Sequence, residues 1–215
     1  MVQPDPDVRS RELARESLAV DDPTGWFERL YGEAESGVVA VPWDRGSPHV
    51  MLVEWARERE IEGRGRRALV VGFGLGRDAE FIAGLGFETV AFDVSQTAVR
   101  MTKARYPEST VEYTAANLLE PPEQWREAFD LVVESLTVQS LPVELHRRAI
   151  VEVGRFVAPG GTLLVISAAA DGEPPGPPWP LTRAEIEAFG AGGLEPVRIE
   201  HSDGRWRAEF RRPAA

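Results

Sequence analysis

The sequence predicts an α/β fold: a seven-stranded, mostly parallel sheet with helices on both faces, ending in an antiparallel terminal hairpin. Three observations lead there. Ala68-Leu69-Val70-Val71 runs directly into Gly72-Phe73-Gly74-Leu75-Gly76, after which a helical pattern begins. From residue 68 to 167, short apolar runs alternate with helical patterns, as βαβ units require. The runs 194–199 and 205–210 flank Asp203-Gly204, a strong hairpin signal.

Taken in order, residues 7–19 form a charged, weakly amphipathic helix pattern carried by Val8, Leu13 and Leu18. Asp21-Asp22-Pro23 interrupts it, and Thr24 is placed to cap a second helix holding Trp26, Phe27, Leu30 and Tyr31. A loop over 32–40 leads to Pro42-Trp43-Asp44-Arg45-Gly46, and a third helix runs from Pro48 to about Glu60. Strands are expected at 68–72, 88–93, 110–114, 129–134 and 161–167, with helices between most of them. The first of these helices keeps Ala79, Ile82 and Ala83 at helical spacing and stops at Gly84 and Gly86. Residues 172–178 (GEPPGPP) read as a loop, because strand and helix patterns continue beyond them. The whole chain, 1–215, reads as one domain, with 1–60 as a helical, aromatic cap and 61–215 as the core.

Composition narrows the function. The chain has 215 residues, 43% hydrophobic and 27% charged, which is neither a disordered nor a membrane composition. Its longest apolar runs are too short to span a bilayer, and the N-terminus lacks a basic-then-apolar secretion pattern, so a cytoplasmic location is expected. With no cysteine, disulfides, thiolate metal sites and a Cys nucleophile are excluded; no metal site is expected. A net charge of −11 repels polyanions, which argues against nucleic acid and for a small-molecule substrate. The two candidate basic patches, Arg147-Arg148 beside His146 and the stretch Arg205 to Arg212, read as solvated charges.

Glycines at alternate positions let a chain turn sharply and bring its backbone against a ligand, while the following helix offers free N–H groups. The second strand ends in Asp93, 21 residues after Gly72, where a carboxylate can accept hydrogen bonds from ribose hydroxyls. Counted from the end of the strand, the third glycine of a dinucleotide fingerprint is replaced by Arg77; a displaced match begins at Gly74 and ends at Ala79. Gly72-x-Gly74-x-Gly76 resembles instead the first motif of class I methyltransferases. That resemblance implies a Rossmann-like fold whose last strand inserts antiparallel, and S-adenosyl-L-methionine as cofactor. Val94 would then lie against the adenine face. Asn117 would accept from the adenine amino group and the Leu118 N–H would donate to the ring; a loop Asn serving turn geometry is the alternative.

A second resemblance covers residues 24 to 210. Pro42-Trp43-Asp44-x-Gly46, preceded by Phe27 and Tyr31, is similar to the thiopurine S-methyltransferase and plant thiol/halide methyltransferase families, as is Gly176-Pro177-Pro178-Trp179-Pro180-Leu181-Thr182. It implies that Phe27, Tyr31 and Trp43 fold over the cofactor, and that Trp179 is also part of a lid. Where the thiopurine enzymes carry Asp-Arg-Gly after the fourth strand, this chain has Glu134-Ser135-Leu136, and the loop before Pro42 is longer.

Glu134 ends the fourth strand and is expected in the crevice, where it would stabilise the cationic cofactor, accept a proton, or equally hold the methionine moiety or a neighbouring loop. Thr137, Gln139 and Ser140 are expected beside it. The expected function is methyl transfer to a small-molecule acceptor, with a thiol as the group the resemblance favours. Two alternatives stand: an NAD(P)-dependent oxidoreductase, for which no Tyr-x-x-x-Lys relay is present, and a non-catalytic cofactor-binding protein.

Overall fold

Five parallel strands form the centre of the protein: β1 (Arg67–Val71), β2 (Glu88–Asp93), β3 (Glu112–Ala115), β4 (Phe129–Ser135) and β5 (Val157–Ala168). The structure is a computed structural model describing residues 4–170 and 176–214; part of the expected 172–178 loop lies outside the described residues. With β6 (Glu195–Ser202) and β7 (Arg205–Arg211), the sheet order is β3-β2-β1-β4-β5-β7-β6. The last strand, β7, lies antiparallel between β5 and β6. Asp203 and Gly204 turn the hairpin with φ of 50° and 68°, the left-handed pair that a tight hairpin turn needs. Strand order reverses between β1 and β4, which opens a crevice at their C-terminal ends.

Among the described residues, seven α-helices surround the sheet: α1 (Pro6–Leu18), α2 (Gly25–Glu35), α3 (Val50–Glu58), α4 (Arg77–Gly84), α5 (Gln96–Arg105), α6 (Val143–Arg155) and α7 (Arg183–Ala188). The strands read as unbroken apolar runs because both faces are covered. Ala68 and Val70 pack with Trp55, Ile82 and Ala98 on one face. Leu69 and Val71 pack with Ile150, Val153 and Ile186 on the other. None of the described helices is long and apolar enough to cross a membrane.

The N-terminal helices are bound tightly to this core. Leu13, Trp26, Leu30 and Val39 form their own apolar cluster. The Glu28 carboxylate accepts from Ser95 Oγ (2.5 Å), Thr97 Oγ1 (2.5 Å) and the Thr97 N–H (3.2 Å), which fixes α2 to the start of α5.

Three local expectations are corrected. Thr24 makes no side-chain cap; the Asp22 carboxylate accepts from the Thr24 and Gly25 N–H groups instead, an Asx turn that places the cap two residues earlier. Strand β5 starts at Val157 rather than 161, because the Pro159-Gly160-Gly161 breaker is absorbed as an irregularity opposite Phe129 and Leu131. His146 is buried, not solvated. Its Nδ1 lies 2.7 Å from Glu185 Oε1 and its Nε2 2.8 Å from the Leu141 carbonyl, so it ties α6 and α7 to the loop after β4.

Candidate active site

After Val71 the chain turns through Gly72 and Gly74, both at φ 61°. A Cβ on Gly72 would lie 2.4 Å from Thr137 Oγ1, and one on Gly74 would lie 3.0 Å from Trp43 Cδ1. The missing side chains therefore let the β4 loop and the cap segment close onto the end of β1. Gly76, expected to touch the cofactor, does not line the cavity. A Cβ there would meet Thr102 Cγ2 at 2.7 Å and Tyr113 Oη at 2.8 Å, so its role is close packing of α4 against α5 and β3.

Over the strand ends lies a cavity of about 490 Å³, within the range of small-molecule and cofactor sites. Gly72, Gly74, Asp93, Val94, Asn117, Leu118, Phe27, Tyr31 and Trp43 all line it. So do Thr137, Gln139 and Ser140, and Pro177 with Pro178; Trp179 does not. The Trp179 N–H donates to the Gln139 carbonyl at 2.6 Å, which fastens its segment to the β4 loop.

Asp93 anchors one end. Its Oδ1 accepts from the Ser95 N–H (3.0 Å), and its Oδ2 from the Gly74 N–H (3.2 Å) and, at 3.5 Å, the Tyr31 hydroxyl. Burial pushes its carboxyl up to about 6 despite these donors. Burial, and then the Asp93 charge, push the Tyr31 phenol well above its ordinary range, so Tyr31 stays a neutral donor. Trp43 Nε1 donates to Tyr31 Oη at 3.0 Å, giving a Trp–Tyr–Asp chain from cap to sheet. Asp44 is held between Arg77 (3.3 Å) and Arg105 (2.9 Å), so Trp43 is held in place from its C-terminal side as well. The Asn117 side-chain oxygen accepts from the Leu119 N–H at 2.9 Å, which is turn geometry at the cavity wall.

Of the roles expected of Glu134, the structure shows the one of holding the neighbouring loop, and not exposure in the crevice. The residue is fully buried, does not line the cavity, and its Oε1 accepts from the Thr137 (2.7 Å) and Val138 (2.9 Å) N–H groups. The β4 loop folds back over the strand end and turns the carboxylate into the core. Its Oε2 has no hydrogen-bond partner among the described residues. Burial raises the carboxyl to about 7. A raised acid favours the protonated folded state, so its contribution to stability is complete below the unfolded value of ~4.3 and lost as pH rises through 7. Accordingly, the melting temperature of Glu134→Gln relative to wild type should climb between pH 5 and pH 8.5. A difference independent of pH would contradict this environment.

The sequence reading missed Arg45, His49 and Asp78 in the cavity wall, and read Arg205, which also lines it, as a solvated charge. His49 begins α3: its N–H donates to Asp78 Oδ1 (2.8 Å) and its Nδ1 accepts from the Met51 N–H (3.2 Å). A His at a helix start, followed by an apolar pattern, was the available signal.

Residues 69–165 match the model of a methyltransferase domain family. A probable thiol methyltransferase 2 of Arabidopsis thaliana is 25% identical over 82% of this chain and 81% of its own. A 2-heptyl-1-hydroxyquinolin-4(1H)-one methyltransferase of Mycobacteroides abscessus is 26% identical over 74% of this chain and 72% of its own. Among solved structures, a protein described for converting a disulfide bond into a thioacetal group during echinomycin biosynthesis superposes with a TM-score of 0.73. It is 21% identical, covering 88% of this chain and 91% of that one. The methyltransferase-domain match over residues 69–165 and the two methyltransferase relatives support a class I S-adenosylmethionine-dependent methyltransferase with S-adenosylmethionine as cofactor, on a fold that the solved structures share.

Proposed function

We propose that the protein methylates a small, partly apolar acceptor at a soft or self-ionising nucleophile, with a thiol favoured. The buried donor set of the cavity fits the cofactor. Asp93 would take the ribose diol, Val94 and Leu118 would sandwich the adenine, and the Gly72–Gly74 backbone would lie along the methionine. Asn117 would present its amide at the adenine edge while holding its own turn. Phe27, Tyr31 and Trp43 would close over this end and exclude water. When bound, the cofactor supplies an electrophilic sulfonium methyl.

The observation that carries the acceptor class is the placement of Glu134. The carboxylate that the end of β4 would otherwise offer as a base is sealed beneath its own loop. His49 is no substitute as it stands, because its Nδ1 is occupied by the Met51 N–H and its other nitrogen then carries the proton. The far half of the cavity presents Leu136, Leu141, Pro177 and Pro178 with hydrogen-bonding groups on Gln139 and Ser140. Such a site positions a nucleophile and keeps it dry. An acceptor with pKa near 8.5, such as a thiol, needs no more. The two relatives, named for a thiol and for a hydroxyquinolinone, act on acceptors compatible with this chemistry.

The test is the pH–rate profile of methyl transfer with two thiols of different acidity. The rise should track each thiol's own pKa, and Glu134→Gln should leave it in place. A rise at one fixed pH for both thiols, or its loss in Glu134→Gln, would reveal a protein base.

A further inference from the structure

Between residues 137 and 140 the loop after β4 brings Thr137, Gln139 and Ser140 to the cavity, and two of them are already engaged as donors. Thr137 Oγ1 donates to the Val71 carbonyl at 2.8 Å, and Ser140 Oγ to the Leu136 carbonyl at 2.9 Å. Gln139 differs. It lines the cavity although only 6% of its surface is exposed. Its Oε1 accepts from the Ala168 N–H at 2.6 Å and from the Ser167 hydroxyl at 2.9 Å. A backbone N–H can only donate, so the atom facing Ala168 has to be the amide oxygen, and the amide cannot be flipped. Its Nε2 is thereby fixed on the other branch, and it has no hydrogen-bond partner among the described residues.

The position of this amide matters. Ser167 and Ala168 end β5, on the far side of β4 from Asp93 and Asn117. With adenosine held over β2 and β3, this is the acceptor's end of the crevice. The Gln139 backbone is fixed as well, because its carbonyl accepts from the Trp179 N–H at 2.6 Å, which brings Pro177 and Pro178 alongside. The side chains of Leu136, Leu141, Pro177 and Pro178 in this part of the wall carry no hydrogen-bond acceptor. A nearly buried donor held against such neighbours costs free energy unless a ligand accepts from it. A neutral amide in an apolar wall is matched by a neutral carbonyl, whose desolvation costs less than that of a charged group.

We infer that Gln139 determines acceptor specificity, its amide NH2 donating to a carbonyl-type oxygen that the methylated molecule carries besides its nucleophile. This rests on the proposed small-molecule methyl transfer and narrows its substrate class. Anchored to the end of β5, the amide sets where that oxygen lies, and an analogue without it leaves the donor buried and unpaired. The cofactor's methionine end is the rival partner of the same donor.

The test uses the full chain saturated with S-adenosylhomocysteine. Aryl methyl thioethers bearing an acetyl group at each ring position are titrated against their ethyl counterparts, so that no probe ionises, and the corresponding thiols are assayed for methylation. For at least one ring position the acetyl member should bind roughly tenfold tighter. Gln139→Glu keeps an oxygen on Ala168 and Ser167 but replaces the donor by an acceptor, and Gln139→Met removes both. Each should abolish the preference while binding of the ethyl member and of S-adenosylhomocysteine is kept; should one variant fold poorly, the other decides. Equal binding of acetyl and ethyl members at every ring position overturns the inference, as does a preference that persists in Gln139→Glu. Loss of S-adenosylhomocysteine affinity in Gln139→Glu would assign the amide to the cofactor and also overturn it. Thiols methylated without any preference would sink the donor and leave methyl transfer standing; a preference that depends on Gln139, with no thiol methylated, would do the reverse.

Discussion

Asp93→Ala is expected to weaken S-adenosylhomocysteine binding by about 1.5–3 kcal/mol, on the order of ten- to a hundredfold, measured by isothermal titration at pH 8. The carboxylate sits at the end of β2 with its donors already arranged, and the long 3.5 Å contact from Tyr31 is the one a ribose hydroxyl can replace. Alanine also leaves the Gly74 and Ser95 N–H groups without their acceptor, so Asp93→Asn is the companion that keeps the side chain's shape. It should still lose affinity. The same carboxyl gives a pH signature in the wild type. With its pKa pushed up to about 6, Asp93 protonates as pH falls through that value, and affinity should fall with it. Undiminished affinity in Asp93→Ala would remove this residue from the site.

The second large effect is predicted at Gly72, where Ala should lower stability by about 2–4 kcal/mol, or roughly 5–15 °C in melting temperature. Two costs combine. At φ 61° any Cβ is strained, and this one would also drive into Thr137 Oγ1 at 2.4 Å and Thr137 Cγ2 at 2.5 Å. Thr137 cannot yield cheaply, because its Oγ1 donates to the Val71 carbonyl at 2.8 Å and its N–H to Glu134. Thr137→Ala should therefore be less costly in the Gly72→Ala background than alone, a coupling read from a double-mutant cycle. Simple additivity would show that the two residues are not in contact in the native protein.

Much of this was legible in sequence where a residue type has one physical reason to be present. The β1–Gly–α4 passage, Asp93 at a strand end and Asp203-Gly204 in a hairpin each declare a backbone requirement, and the structure meets them. The family match also displaces the oxidoreductase alternative, whose displaced glycine match would have used Gly76. Sequence failed where long-range closure decides. Glu134 was correctly placed at the end of β4, but its side chain follows the back-folding of residues 137 and 138, which no local pattern specifies. Gly76 looked like its neighbours and is instead answered by Thr102 and Tyr113, distant in sequence. His146 beside two arginines read as surface, yet Glu185, 39 residues on, accepts it into the interior. Arg45 and Arg205 escaped for the same reason: only the fold puts both in the wall of one cavity.

Methyl transfer to a small soft nucleophile is tested most directly by incubating the protein with S-adenosylmethionine and a panel of thiols, phenols and amines, and analysing the products by mass spectrometry. The expected result is a thiol product heavier by one methyl group, with S-adenosylhomocysteine formed in equal amount. Tight S-adenosylhomocysteine binding with no methylated product from any class, or methylation confined to amines, would contradict it.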